Sequence, residues 1–410
     1  MNLAFGDIVT CKMRLKVLTP IFVGGGNDSV LNRTGYIYDS AQKKVYILDE
    51  AKFVEFLGAA DLFDEYFKYV VENSGEPPRN PRATGNRRSR HANPNANLVH
   101  LADWLASKGF TGYEKLARYA VAAPDVDKGN LNDLRCFARN GLWQPYIPGT
   151  AIKGALRSVL LKEALLTAKR PDDWKRALAL VTSGQNRTLG RLGREIEDRM
   201  TKLVSFDEDV ENRHRSGPGQ DSPLRDIFRG IAVSDSRPID PENLYIARQL
   251  RVSIKNKNGH IKALPVYLEY LKPGTEIVFT LSLNRRLLEN SPWRTVHDIL
   301  DTLGRASRRF AVLMGDAHFK RLGEYRWSCE PNMSANFYLG GQTGWPTKVF
   351  WPELAPNPQE CLKVTKTLLD KRFWVHRHAL LDDRVSPRTL KLARYEEEYY
   401  VVGMCSLEAV

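Results

Sequence analysis

Two hydrophobic periods occupy different stretches of this chain, and their order restricts the folds open to it. Ile8 to Leu18 alternates apolar and polar side chains, the period of a strand with one buried face. Tyr36–Tyr38 and Val45–Leu48 flank the polar stretch Asp39–Lys44, which predicts a hairpin. Helical spacing follows from Asp49 or Glu50, through Phe53, Phe56 and Leu57, then Leu62, Tyr66, Tyr69 and Val70, and again over 98–123. The clearest helix is Thr150–Arg170. Its stripe is Ile152, Ala155, Leu156, Val159 and Leu160; Pro148-Gly149 precedes it and Pro171 ends it. Asp172–Thr182 and Leu189–Leu203 continue the helical pattern. Strand signals return at Ile227–Val233, Leu244–Ile254, Leu264–Leu271 and Glu276–Leu283, with Pro273-Gly274 as a turn. A long helix from Ser291-Pro292-Trp293, a loop-rich stretch at 330–360, a short helix and a strand near Tyr399–Cys405 finish the chain.

A strand, then helices, then antiparallel strands indicates an α+β fold rather than a regular β-α alternation. A boundary is expected near residue 286, dividing a 1–285 domain from a smaller, helix-rich 286–410 domain. The first carries two insertions. Asn73–Asn97 holds Pro77, Pro78, Pro81 and Pro94 and five arginines, with almost nothing apolar, and is expected to be a basic loop. Residues 171–223 form the second insertion, helical at first and a polar loop over Ser205–Pro223.

Charge narrows the function. Over 410 residues, 61 Lys and Arg oppose 48 Asp and Glu, a balance of +13. That surplus favours a polyanionic partner, either nucleic acid or an acidic surface. No apolar run is long enough to span a bilayer, and the N-terminus lacks the features of a leader. The cysteines (Cys11, Cys136, Cys329, Cys361, Cys405) are scattered, with no CxxC. A reducing, cytoplasmic compartment without cofactor or zinc is the expectation.

The leading site is the segment Ile147–Arg157. Lys153 in the first turn opposes the helix dipole, and Arg157 four residues on places a like charge on the same edge. Such a pair is costly unless an anion lies between them, a solvated basic helix edge being the other reading, and the free N–H groups at Gly149 and Thr150 are themselves anion ligands. Gly149 and Gly154 remove side chains and would let a backbone phosphate approach. Gly24, Gly25 and Gly26 after the first strand permit close backbone approach, although a tight turn explains them equally well. Gly340, Gly341 and Gly344 form another glycine-rich loop, in which Trp345 could stack on a base and Lys348 meet a phosphate, or Trp345 could simply pack inward. Arg248, Arg251 and Lys255 could line a groove tracking a nucleic-acid backbone, or be a solvated edge-strand face. His376 and His378 would share a face if on a strand, but no carboxylate or cysteine pattern accompanies them as a metal site. Motifs for nucleotide binding, zinc proteolysis or serine hydrolysis are absent, so no catalytic residue is assigned.

Several blocks together resemble the RAMP proteins of CRISPR systems. They are TPIFVGGG (Thr19–Gly26), YIPGTAIKGALRSVL (Tyr146–Leu160), IFRGIAVSDSRPI (Ile227–Ile239) and LEYLKPGTEIVFTLSL (Leu268–Leu283). LGGQTGWPTKVF (Leu339–Phe350), SPRTLKL (Ser386–Leu392) and VVGMCSLE (Val401–Glu408) are similar to the RAMP subunit at the crRNA 3′ end of type III-A (Csm) effector complexes. The resemblance implies a ferredoxin-like or RRM-like domain with large insertions, followed by a degenerate RRM-like C-terminal domain. It also implies crRNA as ligand, a neighbouring RAMP backbone subunit and other complex subunits as partners, indirect contact with target RNA, and nucleases recruited for crRNA 3′ trimming. The Gly24–Gly26 loop and the Gly149–Arg157 helix start would then face crRNA. Members often carry a histidine just before the first glycine motif. Phe22 stands there, which favours a scaffold over one alternative, a metal-independent endoribonuclease processing crRNA precursor; the other is a RAMP subunit of another type III subclass.

Overall fold

The computed structural model describes residues 7–26, 29–73, 99–126, 131, 133–168, 171–184, 186–203, 226–253, 260–289, 291–317, 334–345 and 347–410. Most of the basic 73–97 insertion, the 205–223 loop and Lys255 lie outside the described residues. The strands are β1 (Ile8–Val17), β2 (Val30–Leu31), β3 (Tyr36–Asp39), β4 (Lys44–Leu48), β5 (Ala117–Ala122), β6 (Leu134–Arg135), β7 (Ile231–Val233), β8 (Leu244–Ser253), β9 (His260–Leu271), β10 (Glu276–Asn284), β11 (Phe337–Tyr338), β12 (Thr389–Tyr395), β13 (Glu398–Val401) and β14 (Met404–Ala409). The helices are α1 (Glu50–Ala59), α2 (Phe63–Asn73), α3 (Leu101–Ser107), α4 (Gly149–Ala168), α5 (Pro171–Ser183), α6 (Asn186–Leu203), α7 (Val296–Ala317), α8 (Trp351–Leu354), α9 (Pro358–Arg372) and α10 (His378–Leu381).

The first sheet has the order β11-β14-β1-β10-β7, with each neighbouring pair antiparallel. Alternation makes it one-sided: Met13, Leu15 and Val17 of β1 and Ile277, Phe279, Leu281 and Leu283 of β10 are buried. α4 buries Ile152, Leu156, Leu160 and Leu165 in the same core, each such side chain worth roughly 1.5–3 kcal/mol. Setting β11 aside, β1, α4, β7, β10, α7 and β14 follow in the chain as βαββαβ, and the sheet orders its strands fourth, first, third, second.

The second sheet runs β2-β6-β9-β8-β5-β4-β3, with β12 added beside the far half of β8 and β13 beside β12. Both sheets cross the boundary expected at residue 286, because β14 pairs with β1 and β12 with β8. Pro265 sits where the β8–β9 register shifts, a place where its missing N–H is tolerated, and Arg248 Nε fills the gap by donating to the Leu264 carbonyl at 2.8 Å. The α1–α3 region packs on the β3–β4 hairpin through Phe53, Tyr66, Tyr69 and Trp104.

Local expectations fail where tertiary pairing overrides local pattern. Residues 117–122 are strand β5, paired with β4, not helix. Ile227–Gly230 is a 3-10 turn whose Phe228 N–H is capped by Asp226, so the strand is reduced to Ile231–Val233. The long helix starts only at Val296, after a reciprocal cap between Thr295 and Asp298; Trp293 is buried against Phe228 instead.

Candidate nucleic-acid interface

A cavity of about 1120 Å³ opens between α4 and α7 and brings together segments far apart in sequence. α4 presents Ala151, Gly154, Ala155 and Ser158 to it. Val23 and Gly24 line it from one segment, Leu339, Gly340 and Gly341 from another, and Arg308 from α7.

Backbone geometry joins the two glycine segments. Gly340 has φ +105°, and a Cβ there would lie 2.3 Å from the Phe22 carbonyl oxygen, so only glycine fits. Gly341 N–H donates to that same oxygen at 2.9 Å, and Gly403 N–H donates to the Pro20 carbonyl at 2.9 Å. From the other side Ala138 N–H donates to the Val23 carbonyl at 2.7 Å. That strap is itself pinned. Fully buried Glu269 accepts from Phe137 N–H at 2.7 Å and pairs with Arg139 at 2.7 Å. Phe22 is buried edge-on against Tyr270. Gly25 and Gly26 stay exposed, with Gly25 N–H donating to Ser29 Oγ.

The cleft is cationic after internal pairing. Lys162 pairs with Glu353 at 3.7 Å and Arg309 with Glu163. Among the described residues Arg308, Lys348 and Arg384, which also line it, have no carboxylate partner. Burial pushes the Lys348 ammonium below its ordinary pKa. Arg308 and Arg384 escape sequence reading, because nothing local marks them and only packing brings them to the cleft.

The helix start itself is arranged otherwise than expected. Gly149 is buried, its N–H donates to Asp235 Oδ1 at 2.7 Å, and a Cβ would lie 2.3 Å from the Val233 carbonyl oxygen. Its glycine answers to the strand backbone beside it, and the helix N-terminus is met by the chain's own carboxylate. The anion that Lys153 and Arg157 call for is also internal: Arg157 bridges Glu197 at 2.8 Å and Asp226. Half-buried Lys153 has its pKa lowered by desolvation, opposed by Asp226. Thr150 and Gly154 remain exposed, and Gly154 opens onto the cleft beside Ala151 and Ala155.

In the 340–348 loop, Gly344 has φ +90° and Thr347 Oγ1 donates to its carbonyl at 3.0 Å. Trp345 is half-buried and lies apart from the cleft lining, while Lys348 lies in it. Gln249 Nε2 donates to Gln342 Oε1 at 2.6 Å and ties the loop to β8. Arg251 sits further along β8, which is an interior strand there, flanked by β9 and β12, not the edge strand considered from sequence. His376 and His378 lie on a 3-10 turn and the start of α10 instead of a strand. His378 Nδ1 is 2.8 Å from buried Asp382, which also takes Ser386 and Arg388. Among the described residues no group of three or more His, Cys, Asp or Glu could hold a metal ion.

Curated relatives share this chain almost end to end. A Csm5 protein of a CRISPR system from Enterococcus italicus is 24% identical over 420 residues, covering 97% of this chain and 96% of its own. One from Mycobacterium tuberculosis is 25% identical over 413 residues, with the same coverage of both chains. Among solved structures, a chain of a Csm–crRNA–target RNA ternary complex from a type III-A CRISPR-Cas system superposes with TM-score 0.61 at 16% identity, covering 98% of this chain and 100% of its own. The crystal structure of T.onnurineus Csm5 gives 0.53 at 15% identity, covering 96% and 99%. The family model for the RAMP superfamily matches residues 14–371, and the chain belongs to that superfamily.

Proposed function

We propose that the chain is a non-catalytic, RNA-binding subunit of a type III-A CRISPR effector complex, seated at the 3′ region of the crRNA. The observation that carries this reading is the cleft: Gly24, Gly154 and the Gly340–Gly341 backbone converge on one cavity whose surplus charge is positive. Small residues let a polyanion backbone approach, and cations without sequence-reading geometry suit phosphates rather than bases. End-to-end similarity to Csm5 proteins and the βαββαβ strand order support the RRM-like, Csm-type interpretation. Among the described residues lining the cleft there is no histidine, which favours holding over cutting.

Protein contacts are assigned to a separate surface. Phe373, Trp374, Val375 and Leu380 are exposed, Trp374 at 78%, on a turn beside hydrogen bonds from Ala379 N–H to Asp370 and from Ser386 to Asp382. Such an apolar group suits the neighbouring RAMP subunit or another subunit of the complex. Contact with target RNA is then indirect, through the guide, and 3′ trimming falls to separate nucleases. Among the described residues no helix is long and apolar enough to cross a membrane, and a cytoplasmic setting follows from the proposed complex.

The test is co-purification. A tagged chain should bring down a small RNA and the other subunits, and Trp374→Ser should lose the proteins. Incubated alone with a crRNA precursor in EDTA it should leave the RNA intact. Defined products that vanish with one histidine substitution would establish the endoribonuclease instead.

A further inference from the structure

Three cations stand in a row across the second sheet. Arg251 of β8 is directly opposite Lys262 of β9 on one side and Lys391 of β12 on the other. Directly opposed residues on adjacent strands share a face, and like charges so placed destabilise a sheet. The neighbouring positions are the complement: Leu250, Val252, Leu390 and Leu392 are buried in a small apolar core. The row therefore occupies the opposite face, with Lys262 exposed and Arg251 and Lys391 half-buried. Strands are spaced about 4.8 Å apart, so the row extends about 10 Å.

Ordinary explanations do not cover it. Edge-strand protection by lysine reaches Lys262, because β6 meets β9 only at Tyr267 and Leu268, but not Arg251, which β9 and β12 flank. Among the described residues none of the three has a carboxylate partner. Burial lowers the Lys391 pKa, and Arg251, Lys348 and Arg135 lower it further, so the site concentrates cations without an internal anion. Gln249, two residues before Arg251 on β8, holds Gln342 at 2.6 Å in the loop that carries the cleft residue Lys348, so one loop touches both the cleft and the strand that bears the row.

We infer that Lys391, Arg251 and Lys262 form a phosphate track by which a single RNA strand leaves the cleft past Lys348 and crosses β12, β8 and β9. This rests on the RNA-binding reading above and adds a path to it. Contacts from such a row to phosphates hold the strand in place without reading its sequence. Its cost in the free protein is repaid when successive phosphates replace the missing anions.

Fluorescence anisotropy with an unstructured single-stranded RNA tests it, using the full chain, the Lys262→Gln/Lys391→Gln double variant and Gly154→Leu. The double variant should melt no lower than the wild type, and its plot of log affinity against log salt should flatten by about 1.4, the counterion release of two single-strand phosphate contacts. Gly154→Leu should weaken binding with the slope nearly kept. An unchanged slope in the double variant, while Gly154→Leu still weakens binding, would overturn the track and leave the cleft standing. Loss of binding to labelled polyglutamate but not to RNA would overturn it in favour of an acidic protein. No RNA binding by the wild type would overturn cleft and track together.

Discussion

Glycines that look alike in sequence divide into two kinds in the fold. Gly149 and Gly340 are fixed by contact, each with a backbone oxygen 2.3 Å from where a Cβ would sit. Gly340→Ala should cost about 2–3 kcal/mol, read as a lower melting temperature, because positive φ and overlap add. Gly154 is the opposite case. It is exposed in the interior of a 20-residue helix with nothing within 4 Å of a Cβ. Alanine there should stabilise the chain by about 0.5–1 kcal/mol, and calorimetry would show it. A glycine in a helix interior, costly by propensity yet facing a cleft, leaves room for a ligand, which is why bulk at Gly154 is expected to reduce RNA affinity. From sequence, Gly149 and Gly154 carried one explanation; burial separates them.

At the scale of elements, what was legible followed from periodicity. β1, α4 and β10 each repeat a buried stripe long enough to read, and the β3–β4 hairpin shows as two continuous apolar runs around a polar turn. The β12–β13 hairpin gave no such signal. Its two-residue turn is Glu396-Glu397, both at positive φ, where glycine or asparagine would have marked it. Missing that hairpin concealed Lys391, and with it the cation row. The like-charge argument for Lys153 and Arg157 was sound in asking for an anion, but Glu197 and Asp226 come from elements whose approach only packing decides. Arg157→Met should accordingly lower thermal stability while leaving the salt slope of RNA binding unchanged. Lys391→Gln should do the reverse, raising stability by about 0.5 kcal/mol as an opposed charge is removed and weakening RNA binding. Both are read by paired melting and anisotropy curves.

The whole molecule is built as two sheets that each borrow strands from both ends of the chain, so the cleft cannot form from either part alone. Val23–Gly24 and α4 line it from before residue 286, α7 and the 339–348 loop from after it, and β14 pairs with β1 beneath them. The α+β class could be read from the order of periods, whereas strand exchange across residue 286 depends on pairings that leave no local trace. The net charge of +13 drew attention to a polyanion, and the fold locates a surplus of it at Arg308, Lys348 and Arg384. Photo-crosslinking of the intact chain to a single-stranded RNA, with the attached peptides mapped, tests that location most directly. Crosslinks should fall on 22–26, 151–158, 305–310 and 339–348. Crosslinks confined to surfaces away from the α4–α7 cleft would contradict it.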